Sequence, residues 1–339
     1  MRYLTSWGLR PALAATVLTV ALMAGCSSTP TAPTPPPPAP VPATNPPTLA
    51  CGEAISRATA NTAGMTLDFD APPVTGGQGT VNVTCSPGSG SSFPIGSTEV
   101  TCTATDSLSR TGSCSFAVNI SKLPTLSKTR FLAFGDSITA GEVTFPAGSS
   151  LIGAKAITKQ VVVPSAAYPT VLLNTLRGRY ASQAGAFEVF NYGVGGEKVV
   201  NTRNRYFSAL NATRPDALLL MEGANDIPAG EDGAASSAAA EIRVWVQEAK
   251  LRGIRVFLAT PVPGKPGNRM IQPFLLVDYA GRMRRVAEQE GVTLVDLYTL
   301  MLPDAQRYIG VDGLHPNEAG YARIADLFFQ AIQTAFEVR

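Results

Sequence analysis

Arg130-Phe131-Leu132-Ala133-Phe134-Gly135-Asp136-Ser137-Ile138-Thr139 is the stretch on which the fold of this chain turns. The unbroken apolar run at residues 131–134 reads as a strand buried on both faces. Gly135-Asp136 then turns the chain and leaves Ser137 at the strand's exit. A serine in that position either caps a following helix or is presented as a nucleophile. Outward from this point, apolar runs recur at residues 187–191, 217–221, 254–260 and 292–297, with helical patterns between them. Ile324, Phe328, Ile332 and Ala335 mark one apolar face of the last helix, and a helix around Ile242 and Trp245 ends at Gly253 before the fourth strand. Strand alternating with helix gives an α/β unit whose parallel sheet is covered on both faces.

Ligands of such sheets bind beyond the carboxyl ends of the strands, so the residues just after each run carry the chemistry. The first exit offers Ser137. The second is Asn191-Tyr192-Gly193-Val194-Gly195-Gly196, whose glycines let backbone N–H groups approach a ligand. The third is Gly223-Ala224-Asn225-Asp226, with a neutral amide donor. After the fifth run comes Asp312-Gly313-Leu314-His315-Pro316, which contains the only histidine of the chain. Together these groups suit acyl transfer. Ser137 would attack an ester carbonyl, His315 would take and return the proton, and Asp312 would hold the imidazole. Pro316 would keep His315 out of helical conformation while starting the last helix. The N–H groups of Gly196 and Ser137 and the side-chain amide of Asn225 would meet the developing oxyanion, with Gly193 and Gly195 as alternative backbone donors.

These blocks, in this order, resemble the GDSL-type members of the SGNH hydrolase superfamily across residues 126–339. The resemblance implies a flavodoxin-like five-stranded sandwich, nucleophile Ser137, oxyanion donors Gly196 and Asn225, and the pair Asp312 and His315. It also implies a carboxylic ester hydrolase with no metal and no organic cofactor. Ile138 stands where the family name has leucine. The carboxylates Glu197, Glu222 and Asp226 read as structural, although a retaining glycosidase would also use two carboxylates near its site. A phosphate-cradling loop of a nucleotide-binding flavodoxin-like domain is not expected, because Gly135-Asp136-Ser137 puts a carboxylate after the first strand. The connection 140–165 reads as a substrate loop or lid, and the Pro-rich exit 261–266 as another wall of the cleft.

The 339 residues are enough for two domains. The formal charge is +2 at pH 7, but Arg2 and Arg10 lie in a segment read as removed, which leaves 25 basic against 25 acidic residues. A neutral mature chain is not expected to bind nucleic acid. Residues 1–25 read as a signal peptide: two arginines precede an apolar run at residues 12–25 that is short for a membrane span. The run ends in Met23-Ala24-Gly25-Cys26-Ser27-Ser28, which resembles the lipobox of bacterial lipoproteins and implies lipidation at Cys26. Met23 replaces the usual leucine. The expected location is therefore the bacterial cell envelope, with secretion after ordinary cleavage as the alternative. Residues 26–50, rich in Pro, Ala and Thr, read as an extended spacer.

Cys51, Cys85, Cys102 and Cys114 lie in residues 51–122, where Gly, Ser, Thr and Val alternate in short runs; the remainder of the chain has no cysteine. The pattern is that of a small antiparallel sandwich in an oxidising compartment. Zinc is not expected, since no C-x-x-C pair occurs. The segments 83–90, 93–106 and 114–116 resemble the hyalin repeat, an immunoglobulin-like extracellular module. Four cysteines allow three pairings; the hypothesis carried forward is Cys85 with Cys102 and Cys51 with Cys114.

The function expected from the whole chain is an extracytoplasmic serine esterase, membrane-tethered, acting on a small-molecule or polysaccharide ester. Deacetylation of carbohydrate or cleavage of short-chain esters comes first, and lipid ester cleavage of the lipase or lysophospholipase kind second. The rival from another class is a surface adhesion protein in which the sandwich binds a surface ligand and the hydrolase fold is inactive.

Overall fold

The computed structural model describes residues 45–146, 158–227 and 233–338. The signal segment, Cys26 and most of the Pro-rich spacer lie outside the described residues, as does the middle of the 140–165 connection.

The first unit is β-rich. A four-stranded sheet runs in the order Ile55–Thr59, Thr111–Lys122, Gly96–Thr105, Asn82–Ser86. Two short antiparallel pairs, Thr48–Leu49 with Val74–Thr75 and Met65–Leu67 with Ser91–Phe93, accompany it. In Gly96–Thr105, Val100, Cys102 and Ala104 point inward at every second position and pack with Phe93, Val118 and Ile120. Period-two alternation thus builds a thin core. Leu49 belongs to that core, so the sandwich begins upstream of the boundary read at residue 51. The unit is also not wholly antiparallel: Ile55–Thr59 runs parallel to the end of Thr111–Lys122, in the register Ile55 opposite Val118. These strands are first and last in their sheet's chain order, so no local turn forces them to reverse. Disulfides join Cys51 to Cys114 and Cys85 to Cys102. Cys85 stands opposite Cys102 in the ladder, which brings their Cα atoms to 4.0 Å.

The second unit holds a parallel sheet of β1 (Arg130–Gly135), β2 (Glu188–Gly193), β3 (Ala217–Met221), β4 (Arg255–Ala259) and β5 (Thr293–Val295), in the spatial order β2-β1-β3-β4-β5. Alternation along the strands divides the core. Leu132, Phe134, Leu218, Leu220 and Leu258 face helices Arg203–Thr213, Ala234–Leu251 and Pro273–Glu290. Phe131, Ala133, Leu219, Phe257 and Val295 face helices Tyr168–Arg179 and Glu318–Phe336. Every inward position is apolar because both faces are covered. On the first face, Trp245 is fully buried, stacks on Tyr206 at 4.8 Å between centroids and meets Phe134 edge-on at 5.6 Å. Such pairs add about 0.5–1.5 kcal/mol beyond the area they bury. On the second, Ile324, Phe328 and Ile332 are buried as their spacing predicts. Ala335 is exposed, and Phe336 packs against Phe131 and Phe257 instead.

Register decides what meets at the rim. Gly135 stands opposite Gly193 on one side and Met221 on the other, so β1, β2 and β3 end at one level. A Cβ at Gly135 would lie 2.1 Å from the carbonyl oxygen of Met221, which is why only glycine fits there. The expected loop after Ser137 is partly regular: Glu142–Pro146 pairs antiparallel with Thr158–Val162.

Candidate active site

Ser137 is the first residue of a single helical turn, Ser137–Ala140. Asp136 caps it, its Oδ1 accepting the N–H of Ile138 at 2.9 Å, and Gly141 closes it at φ 91°. Ser137 is nearly buried and held at the rim by this turn.

The histidine arrives from the other end of the chain. Asp312 and His315 are both fully buried. One carboxylate oxygen of Asp312 accepts the backbone N–H groups of Leu314 and His315, each at 3.0 Å. The other lies 2.6 Å from Nδ1 of the His315 ring. The carboxylate therefore folds its own loop and orients the imidazole with the same group. Burial raises the affinity of Asp312 for a proton, but the hydrogen bond from the His315 ring and the N–H of Leu314 outweigh it and hold the carboxyl below its ordinary range. A carboxylate can only accept, so Nδ1 carries the proton and Nε2 is left to accept. Nε2 faces Ser137 Oγ at 2.9 Å. Serine and histidine, 178 positions apart, thus share a hydrogen bond.

The loop is braced by the exit of β4. The Arg269 N–H donates to the carbonyl of Asp312 at 2.8 Å, and the Lys265 N–H to that of Gly313 at 3.2 Å. Gly313 adopts φ 84°, and a Cβ there would strike the Lys265 carbonyl at 2.3 Å. The Pro-rich segment after β4 is thus a buttress for the Asp-His loop. Pro316 also differs from its expected place: it forms a β-bridge with Ile309, and Asn317 caps the helix that begins at Glu318. The proline still follows His315 directly, so its restriction of the preceding residue stands.

At the exit of β2, the Gly193 N–H is engaged by the Asn191 side chain and the Val194 N–H by the Gly135 carbonyl. That removes Gly193 from the alternative oxyanion donors and leaves Gly195 and Gly196. Gly196 is at φ 77°. Asn225, half-buried, donates through Nδ2 to the Glu197 carbonyl at 2.9 Å, which ties the exits of β3 and β2 together and fixes the amide. Asp226 accepts the N–H of Val199 at 3.0 Å and so reads as structural.

The sequence pointed to neither Arg205 nor Glu142, and both shape the site. Arg205 donates to the carbonyls of Tyr192 and Gly135, at 2.6 and 3.2 Å, and its guanidinium lies 4.0 Å from the centroid of the Phe134 ring. It pairs with Glu197 and, at 4.0 Å, with the buried Glu222. Burial pushes the Glu222 carboxyl well above its ordinary range. Burial likewise pushes Asp136 up to about 6, against the opposing N–H of Ile138. Glu142 presents its Oε2 at 3.7 Å from His315 Nε2. Its only sequence signal was a charged residue directly after Gly141, the one acidic residue of the 140–165 connection. Among the described residues, no group of three or more His, Cys, Asp or Glu side chains is arranged to hold a metal ion.

A family model described as HYR domain matches residues 42–120. An acetylxylan esterase of Xylanibacter ruminicola is 33% identical over 82 residues, which is 24% of this chain and 17% of that protein. The chain thus spans only about a sixth of that curated relative. Among solved structures, a lipase/acylhydrolase from Enterococcus faecalis covers 61% of this chain and 97% of its own, with a TM-score of 0.50 and 21% identity, and so shares the fold. An acetylxylan esterase from Geobacillus stearothermophilus covers 61% of this chain and 94% of its own at 21% identity and a TM-score of 0.47. The family model that spans residues 133–323, more than half of the chain, encloses every residue of the rim described above: the protein belongs to the GDSL-like Lipase/Acylhydrolase family.

Proposed function

We propose that the protein is an exported serine esterase that cleaves carboxylic esters through an acyl-enzyme. The observation that carries this reading is the Ser137 hydroxyl 2.9 Å from His315 Nε2, with Asp312 2.6 Å behind the ring. His315 removes the hydroxyl proton as Oγ attacks the carbonyl, and the imidazolium that forms is stabilised by Asp312. The N–H groups of Gly196 and Ser137 and the Asn225 amide receive the oxyanion. The intermediate then collapses as His315 gives the proton to the leaving alcohol. Water, activated by the same ring, attacks the acyl group and frees Ser137.

Acetyl groups on carbohydrate are the substrate this reading favours; the local match to an acetylxylan esterase supports it. The lipobox-like stretch at Cys26 supports a lipid anchor in a bacterial envelope, and the two disulfides support an oxidising compartment. In this arrangement the sandwich holds the catalytic unit away from the membrane or docks it on a surface ligand.

Turnover of p-nitrophenyl acetate and of acetylated xylo-oligosaccharide tests the activity. Ser137→Ala and His315→Ala should abolish both, whereas near-normal turnover in either variant overturns the assignment. Labelling of wild-type protein but not Cys26→Ser by a fatty-acid analogue tests the anchor.

A further inference from the structure

Glu142 brings to the site a side-chain oxygen that no hydrogen bond among the described residues engages. It begins the strand Glu142–Pro146, and its carbonyl is fixed by the Tyr321 hydroxyl at 2.6 Å. Its side chain is 12% exposed, and Oε2 is a buried atom with no hydrogen-bond partner among the described residues. A carboxylate oxygen left unsatisfied is unfavourable, and proteins rarely retain one without a use. The position is also built. Oε1 lies 2.2 Å from where a Cβ on Gly195 would be, so the absence of a side chain at Gly195 admits the carboxylate. Glu142 is thereby wedged between the Gly195 backbone and the imidazole.

At 3.7 Å from Nε2, the oxygen is too far to hydrogen-bond the ring. It lies beside the nitrogen that, in the reading above, returns the proton to the leaving alcohol. The alcohol oxygen must approach Nε2 to within about 3 Å. Whatever is attached next to that oxygen on the alcohol side then faces Oε2. A carboxylate accepts hydrogen bonds and repels anions, so the neighbour it suits is a hydroxyl.

Resting on the proposed esterase reading, we infer that Glu142 is a specificity residue that contacts substrate: it accepts a hydrogen bond from a free hydroxyl on the carbon adjacent to the acylated one, so the preferred substrates are partly acylated sugars or polyols.

The test compares vicinal cyclohexanediol monoacetate with cyclohexyl acetate, which differ by one hydroxyl. The wild-type chain should favour the diol ester in kcat/KM by on the order of 10- to 100-fold. Glu142→Leu should bring the ratio close to one, and Glu142→Gln, which keeps an acceptor oxygen, should leave an intermediate ratio. Active-site titration with a fluorophosphonate normalises each variant for folded enzyme. No preference in the wild type, or a ratio unchanged in Glu142→Leu because both substrates lose rate equally, overturns the inference while the esterase reading stands. Failure of the wild-type chain to hydrolyse these two esters and p-nitrophenyl acetate would remove both.

Discussion

Asp312 holds His315 twice, once through the backbone N–H at 3.0 Å and once through ring Nδ1 at 2.6 Å, across only three residues of chain. The two jobs separate on substitution. In Asp312→Asn the amide oxygen can still accept the backbone N–H groups, so the loop keeps its shape. The amide nitrogen then faces Nδ1 and forces the proton onto Nε2, where it blocks abstraction from Ser137. Turnover should fall about 10,000-fold with little change in the thermal midpoint, as measured by steady-state kinetics and calorimetry.

Asn225 provides a second kinetic prediction. Its amide is pinned by the Glu197 carbonyl, so Asn225→Ala removes a preorganised donor. The expected loss is about 100- to 1000-fold in kcat, with KM much less affected. A loss confined to KM would place the amide in ground-state binding.

The shifted carboxyls should give stability a pH maximum near the ordinary carboxylate range, about 4. Burial raises Asp136 to about 6 and Glu222 well above its ordinary value, so the folded chain binds these protons more tightly than the unfolded one. Folding is therefore favoured as the pH falls through 6. Asp312 and Glu290 act in the opposite sense. Asp312 is held low against its burial by the His315 hydrogen bond, and Glu290 chiefly by that from Arg243. Their contribution is present above the ordinary carboxylate range and is lost as the pH falls through it. Asp136→Asn should flatten the decline between about pH 4 and 6 and stabilise at pH 8 by on the order of 1–2 kcal/mol, as read by urea titration at each pH.

Arg205 should matter most where Glu222 is charged. Arg205→Met leaves the buried carboxyl without its cation, at a cost on the order of 2–4 kcal/mol where that carboxyl is ionised. The loss should shrink as the pH falls, and Glu222→Gln in the same chain should restore most of it. Denaturant midpoints of the single and double variants across a pH series check this.

The sandwich should respond unequally to loss of its cross-links. Cys51 and Cys114 enclose a separation of 63 residues and Cys85 and Cys102 one of 17. Loop-closure entropy assigns about 4 kcal/mol to the first and about 3 to the second. Paired alanine substitutions, followed by calorimetry, should therefore lower the sandwich transition more for Cys51 and Cys114.

The strand runs were legible because burial on both faces writes itself as unbroken apolar stretches, and residues 217–221 and 130–134 needed nothing else. Ser137, Asp312 and His315 were legible because their neighbours are unusual: a glycine turn at a strand end, and an aspartate three residues before the only histidine. Arg205 and Glu142 were not. Each acts through contacts with other segments, Arg205 with Gly135 and Glu222, Glu142 with His315 and Gly195, and no periodicity or spacing records such meetings. The parallel pairing of Ile55–Thr59 was missed for the same reason, since alternation identifies a strand and is silent about its direction.

Thr125–Leu126, the lead-in to the catalytic unit, pairs antiparallel with Glu337–Val338 at its far end, and Gln183 clamps Leu126 through both its N–H and its carbonyl. Head and tail of the hydrolase therefore touch. A unit closed in this way can be spliced behind a different surface module, or circularly permuted across that seam, without rethreading its sheet. A pull arriving from upstream would also be borne by a clasp remote from the strand ends where Ser137 and His315 meet.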